Sequence, residues 1–384
     1  MKLILFLGAG ASVPSGLPTA EDLTKRLFVR HAEEDITTTR LRELLGVIRD
    51  YDTADIAKVG MSPQWNYRSS GAIYRGSKST YEDLFFLCQQ IALWNIGLSD
   101  NSLATSFMKS IEERAGGLLQ GATFDERMCD LAGLGRQMAS HIESVVTETL
   151  RKKYVAGFDL IRELAESAEI EQLNIVTLNH DTFVEQFLAA NEIPFADGFG
   201  AREGDIRWSD DGVYAGTDKR VRLFKLHGSI DWYSFQYEGR LRTAIFEGAD
   251  VANAVDGTGQ RLVAETRTPS YLTGVNKSDA YQRGIYTDIH FHFYTLLREI
   301  DHILMSGYGW GDTAINFRLD TWFDRSRTNK VVLLQEKPEE LTNRSLVFAT
   351  GYKAWTKAGQ LICVERWLCN ARLSELNGLL FQAG

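Results

Sequence analysis

Asn179 and His227 are the two residues whose types and settings best suit bond-breaking chemistry. Asn179 closes the apolar run LNIVTLN, and an amide there can orient a hydroxyl or a water molecule without titrating. His227 closes the run VRLFKLH ahead of Gly228, and an imidazole with a pKa near neutrality can take the proton from such a group. Asp181, two residues beyond Asn179, faces the same way if the extended chain persists, and its carboxylate could anchor the same ligand. A third stretch supplies a cradle. Gly8-Ala9-Gly10-Ala11-Ser12 follows the apolar residues Leu3 to Leu7, and glycines with small neighbours let a phosphate approach free backbone amides. Taken singly, each feature has a plainer reading: a tight strand-to-helix turn, a turn asparagine, a satisfied core histidine. Val13 stands where the dinucleotide fingerprint G-x-G-x-x-G wants its third glycine.

The elements that must position these residues are legible as apolar runs. Leu3–Leu7 suits a strand buried on both faces of a parallel sheet. Further strands are expected at Leu173, Val221–Leu226, Ile303–Met305 and Val331–Leu334. Most of these runs lead into polar or glycine residues, and in open parallel sheets ligands sit beyond the carboxyl ends of strands, so the endings can converge on one crevice. Thr19 with Glu21 and Asp22 predicts a helix start. From His31 to about Arg151 the periodicity is helical, with Leu41, Leu44, Leu45 and Ile48 on one face, Leu84, Leu87, Ile91 and Trp94 on another, and Met138, Ile142, Val145 and Val146 on a third. Tyr67–Ser79 reads as a polar, basic loop, and Gly239–Tyr286 as a long excursion from the sheet with weak periodicity.

Composition sets bounds. The chain has 384 residues, 44% of them hydrophobic and 24% charged, values of an ordinary globular protein with one large domain carrying an insertion, or two domains. A net charge of −9 argues against general nucleic-acid binding, which needs clustered Lys and Arg. The four cysteines, Cys88, Cys129, Cys363 and Cys369, form no C-x-x-C pair and fit reduced thiols of the cytoplasm. The start resembles a secretory leader, but its apolar run is shorter than the roughly 7 to 15 residues required, and no window approaches the ~18 apolar residues of a membrane span.

Gly8-Ala9-Gly10-Ala11-Ser12 with Gly16-Leu17-Pro18-Thr19, then Thr177-Leu178-Asn179-His180-Asp181, then His227-Gly228, then Ser306-Gly307-Tyr308 resemble, in that order, the sirtuin family. The resemblance is closest to the sirtuin-like domains of bacterial defence systems, in which T-x-N-x-D replaces the deacylases' T-Q-N-I-D and a G-Y-x-x-x-D ending replaces G-T-S; here the ending is Gly307-Tyr308-Gly309-Trp310-Gly311-Asp312. It covers the α/β part and leaves the helical part unmatched. With the apolar runs it implies a Rossmann-like parallel sheet formed by 1–30 and 155–384, and the helical periodicity gives an all-helical insertion at 31–154. It also implies NAD+ as substrate, cleaved at the nicotinamide–ribose bond to ADP-ribose and nicotinamide, with Asn179 and His227 catalytic. Gly8, Ala9, Gly10, Ser12, Thr19, Asp181, Ser306, Gly307 and Tyr308 would bind the dinucleotide. Such a bond breaks through an oxocarbenium-like centre, which suits a neutral orienting amide and a base.

The departures matter as much. Sirtuin deacylases carry a four-cysteine zinc module after the His-Gly motif, whereas Ser229–Gly307 contains no cysteine, so no thiolate zinc site is expected there. The arginine that follows G-I-P-D-F in deacylases is missing too, since Gly16-Leu17-Pro18 runs into Thr19 and Ala20. Deacylation thereby loses support, and a non-catalytic module sensing NAD+ or ADP-ribose is the rival. The resemblance further implies an antiphage effector that depletes NAD+, held inactive until triggered, with a HerA-type ATPase as partner. Apolar helix faces that cannot all reach one sheet suit a homo-oligomer. His290 and His292 form an H-x-H pair without further ligands nearby, His180 is read as a packing or hydrogen-bonding residue, and Asp301 and Asp312 are open between helix capping and ribose contact.

Overall fold

Leu3, Ile4, Leu5, Phe6 and Leu7 are fully buried in the computed structural model, which describes residues 1–28, 40–42, 44, 80–94, 131–215, 220–274 and 277–381. Strand neighbours point to opposite faces, so a strand with five buried residues in a row must be covered on both sides there, as in a parallel sheet with helices above and below. That strand, β1 (Lys2–Leu7), is central in a seven-stranded sheet. In chain order its other members are β2 (Gln172–Thr177), β3 (Phe195–Ala196), β6 (Val221–Lys225), β10 (His302–Ser306), β11 (Lys330–Leu334) and β12 (Leu361–Val364). The spatial order is β12-β11-β10-β1-β2-β6-β3 and every pairing is parallel. Ile4, Phe6, Val176, Phe224, Met305 and Leu333 pack on one face with Phe293, Leu319, Trp322 and Phe348 from helices Ile285–Glu299, Thr313–Arg325 and Leu346–Lys357.

The register brings the strand ends together. Leu7 pairs with Ser306 on one side and Thr177 on the other, Thr177 with Lys225, and Ser306 with Leu334. From β1 the chain first builds towards β2, and only much later crosses to β10 on the other side of β1. The switch point where ligands bind in doubly wound sheets therefore lies between the loops after β1 and β10.

The stretch Gly239–Tyr286 leaves the parallel sheet, and its strands belong to another one. A second sheet, antiparallel, has the order β4-β5-β8-β7-β9. It comprises β4 (Phe199–Glu203), β5 (Ile206–Ser209), β7 (Trp232–Tyr237), β8 (Arg240–Phe246) and β9 (Val263–Ala264). Glu238 and Gly239 both have positive φ, at 49° and 74°, the conformation of a two-residue hairpin turn. Gly239 is thus the corner of a hairpin. Ile206, Trp208, Phe235, Ala244 and Leu262 form this sheet's own core. Its strands are short or carry exposed residues, as in β4, β8 and β9, so their apolar signal is thin.

The chain divides into two compact units: Met1–Leu17, Leu150–Leu272 and Asn276–Gly384 form the first, Pro18–Thr149 and Thr273–Val275 the second. Both sheets lie in the first. The described part of the second contains helices Ala20–Arg26, Tyr81–Trp94 and Leu131–Leu150. Leu84, Leu87, Ile91, Met138, Ile142, Val145 and Val146 are buried there, as are Leu41 and Leu44. At Gly135 an added Cβ would lie 2.6 Å from the Cys88 carbonyl oxygen, so a glycine lets these helices touch backbone to backbone. The stretch Tyr67–Ser79, with Leu45, Ile48 and Cys129, lies outside the described residues. Among the described residues no helix is long and apolar enough to cross a membrane.

Candidate active site

The loop after β1 turns straight into a 3-10 helix, Ala9–Ser15. Its glycines meet the loop after β10. A Cβ on Gly8 would lie 2.5 Å from the Gly307 carbonyl oxygen, and one on Gly10 would lie 2.8 Å from Gly307 Cα. Backbone hydrogen bonds lock the contact: Gly8 N donates to Ser306 O and Gly10 N to Gly307 O, both at 3.0 Å, and Ala11 N donates to Gly8 O at 3.0 Å. The expected row of free amides is therefore corrected at these three positions, whose N–H groups already have backbone partners. Gly8, Gly10 and Gly307 allow two loops to pack without side chains between them.

Ser12 and the loop after β2 form one side of the site. Asn179 Nδ2 donates to Gly8 O and to Ser12 Oγ, each at 3.1 Å. Ser12 Oγ donates to Asp181 Oδ2 at 3.0 Å, and Asp181 Oδ1 accepts from Phe183 N at 3.0 Å. All three side chains are buried. Both amide protons of Asn179 are spent on the protein, so what this residue can offer a ligand is Oδ1, an acceptor for a hydroxyl or a water. Asp181 is drawn inward: each oxygen has a donor, and burial raises its pKa despite Lys225 nearby. Beneath it, buried Lys225 donates to the Asp181 carbonyl and to Glu185 Oε1 at 2.7 Å. Burial pushes Glu185 up to about 7, with Asp231 adding to the rise and Lys225 opposing it.

His227 forms the other side. It follows β6, the neighbour of β2, and Leu226 N donates to Thr177 O at 2.9 Å. Its Nε2 lies 2.8 Å from the Tyr281 hydroxyl and 3.1 Å from Asp312 Oδ2. Tyr281 O–H donates to that same Asp312 oxygen, while Asp312 Oδ1 accepts from Ile315 N at 3.0 Å and caps helix Thr313–Arg325. Burial opposes charge on Asp312, yet the hydrogen bonds and charge of His227, with the Tyr281 hydroxyl, hold its carboxyl well below the usual range. The open reading of Asp312 is resolved in part: it caps a helix and touches His227.

His180 joins the two sides. Its carbonyl accepts from Ile230 N at 3.0 Å and from Ser229 Oγ, and its ring lies 4.7 Å from Tyr271 and 6.1 Å from His227. Burial first, then the charges of His227, Lys277 and Lys225, keep it neutral well below its ordinary pKa.

The remaining expected contacts fall in different places. Ala9 is exposed on the 3-10 helix. Thr19 lies in the second unit, where its hydroxyl makes a capping box with Asp22. Ser306 is buried and donates to Leu334 O. Tyr308 is a buried wedge, its ring 5.2 Å from Phe6 and its hydroxyl donating to Asn316 Oδ1 at 2.6 Å. Asp301 is exposed and pairs with His302. His290 bonds Leu226 O and Arg318, and His292 packs near Tyr214. Among the described residues no group of three or more His, Cys, Asp or Glu is arranged to hold a metal ion. Sequence reasoning missed Tyr281, which sits in an aperiodic stretch with no motif to mark it.

Comparison with known proteins bears on this geometry. The family model described as "SIR2-like domain" matches residues 173–354, the span that carries Asn179, His227, Tyr281 and Asp312. No curated protein sequence matches the chain. Solved structures similar to it include a Sir2 homologue in complex with NAD, at 12% identity and TM-score 0.35, covering 93% of this chain and 89% of that one. A Sir2 homologue mutant bound to ADP-ribose shows 12% identity and TM-score 0.34, covering 93% and 92%. A structure solved to explain sirtuin substrate affinity shows 11% identity and TM-score 0.34, covering 93% of both chains.

Proposed function

We propose that this chain is an NAD+ hydrolase that cleaves the nicotinamide–ribose bond to give ADP-ribose and nicotinamide. The observation that carries the reading is the setting of Asn179 and His227 on adjacent strand ends, beside the β1/β10 switch point, with the amide donors of Asn179 already engaged. Asn179 Oδ1 accepts from a ribose hydroxyl or from the attacking water and holds it beside the anomeric carbon. As nicotinamide leaves, positive charge develops on the ribose, and His227 takes the proton of the group that adds. The match of residues 173–354 to SIR2-like domains supports a dinucleotide as ligand. The loops after β1 and β10 are the place for its phosphates, with exposed Ala9 and partly exposed Gly10 and Gly307 as the contacts and buried Gly8 and Ser12 setting the loop behind them.

The wider setting of the reading is that of the defence proteins the motifs resemble: an antiphage effector of the cytoplasm that depletes NAD+, working as a homo-oligomer with a HerA-type ATPase as trigger. The test is incubation of the purified protein with NAD+, alone and with lysate of phage-infected cells, following free nicotinamide. Release that Asn179→Ala abolishes is the expected result, and it should be indifferent to EDTA because no thiolate zinc site exists between Ser229 and Gly307. ADP-ribose binding without release in either condition would make the chain a sensing module instead.

A further inference from the structure

We propose that Asp312 is the positioning residue of His227, holding the ring in its Nε2–H tautomer so that the basic lone pair sits on Nδ1. The inference builds on the reading of His227 as proton acceptor, but the tautomer can be observed without any turnover.

The argument is a count of protons. Three polar atoms meet at one point: His227 Nε2, the Tyr281 hydroxyl and Asp312 Oδ2. Asp312 is ionised, so its oxygen only accepts. Burial and the Asp312 charge raise the Tyr281 pKa far above its ordinary value, so the phenol keeps its single proton, and that proton lies along the short contact to Asp312. Nε2 then faces a carboxylate oxygen and a hydroxyl oxygen whose own proton is committed. A lone pair there would confront two acceptors; an N–H satisfies both.

The surroundings fix the arrangement. Oδ1 of Asp312 is tied to the start of helix Thr313–Arg325 through Ile315 N, so the carboxylate cannot rotate away without uncapping the helix. The Tyr281 ring stacks on His290 at 3.8 Å and 24°. His290 bonds Leu226 O through Nε2 at 3.1 Å and the Arg318 guanidinium through Nδ1 at 2.7 Å. A carbonyl requires a donor and a guanidinium requires an acceptor, so His290 too has one tautomer, Nε2–H. Burial and the Arg318 charge push its pKa down to about 3, keeping it neutral. The neighbour of His227 in sequence is thus gripped by the same cluster that grips its ring.

The variant Asp312→Asn separates capping from positioning. Asparagine caps helices about as well as aspartate, but its Nδ2 would present a donor where Oδ2 accepted, and the ring should switch to Nδ1–H. The same exchange in a serine-protease triad preserves geometry and costs about 10⁴-fold in turnover through the wrong tautomer. Long-range proton–nitrogen NMR of ¹⁵N-histidine-labelled protein, with His227 assigned by its absence in His227→Ala, should show protonated Nε2 in the wild type and protonated Nδ1 in Asp312→Asn. Nicotinamide release should fall about 10²- to 10⁴-fold, with the unfolding temperature and NAD+ stabilisation little changed. Tyr281→Phe is the companion variant: it removes one hydrogen bond, keeps the Nε2–H tautomer and should cost turnover about tenfold or less. A wild-type ring protonated at Nδ1, a ring that switches in Tyr281→Phe, or an Asp312→Asn enzyme with wild-type turnover would each overturn the assignment. A wild type with the expected tautomer and no NAD+ cleavage would refute the proposed hydrolase while leaving the hold of Asp312 on His227 in place.

Discussion

The two sides of the site are built on different principles. On the Asn179 side the partners are Gly8, Ser12 and Asp181, which follow the ends of two adjacent strands, and Asn179 is held by neutral hydrogen bonds. On the His227 side the partners are a tyrosine 54 residues away and an aspartate 85 residues away, brought in by separate elements, and one contact carries full charge. Neutral hydrogen bonds between strand-end loops hold an amide that does not itself titrate. A charged contact assembled from distant segments makes a group whose proton affinity and tautomer depend on the fold around it. In the proposed reaction, the first side suits orientation and the second proton transfer.

The sharpest test of that division is His227→Ala, which should reduce nicotinamide release by about 10²- to 10⁴-fold while NAD+ still raises the unfolding temperature. Unchanged release would erase the distinction and move the chemistry to the Asn179 side. Next in size is Gly10→Val. Its Cβ would sit 2.8 Å from Gly307 Cα, so the variant should lose about 1–3 kcal/mol of stability in a denaturant titration. Lost NAD+ binding with undiminished stability would instead mean that the glycine serves the ligand rather than the loop contact.

Ser12→Ala should do less, removing one donor to Asp181 and one acceptor from Asn179, for about 1 kcal/mol of stability. Its effect on turnover should be weaker than that of His227→Ala; a larger one would make the hydroxyl a catalytic group. The smallest effect concerns the buried pair beneath the Asn179 loop. Glu185 rises from 4.5 to about 7 in the folded protein, so over that window the folded state holds a proton the unfolded chain releases. Stability from this group is therefore present at low pH and lost as pH rises towards about 7. Glu185→Gln cannot titrate, and its unfolding temperature should fall less than the wild type's between about pH 5 and pH 7.5. Equal slopes would show that Lys225 keeps the carboxylate ionised throughout.

Much of the scaffold was legible because burial on both faces leaves a plain mark. The runs at Leu3, Leu173, Val221, Ile303 and Val331 each became a strand of the parallel sheet. The short β12, with half-buried Ile362, Cys363 and Val364, left no such mark. The antiparallel sheet was missed because its strands are short or begin exposed, as in Arg240–Phe246, whose first three residues are exposed. Tyr308 and Thr19 were read as ligand contacts because they belong to motifs, Thr19 also as a helix cap, but a motif does not say which way a side chain turns. One wedges into the core and the other caps a helix.

The sequence alone determined the parallel sheet and the strand ends on which Asn179, Asp181, His227 and Gly307 sit, since an apolar run and its polar ending are local properties of the chain. Only the tertiary structure decided that Gly8 and Gly10 serve a loop contact, that the donors of Asn179 are spent, and that Tyr281 and Asp312 close on His227. Those facts depend on the distance between atoms far apart in sequence. Local periodicity carries no information about such distances until the sheet has set its order and register.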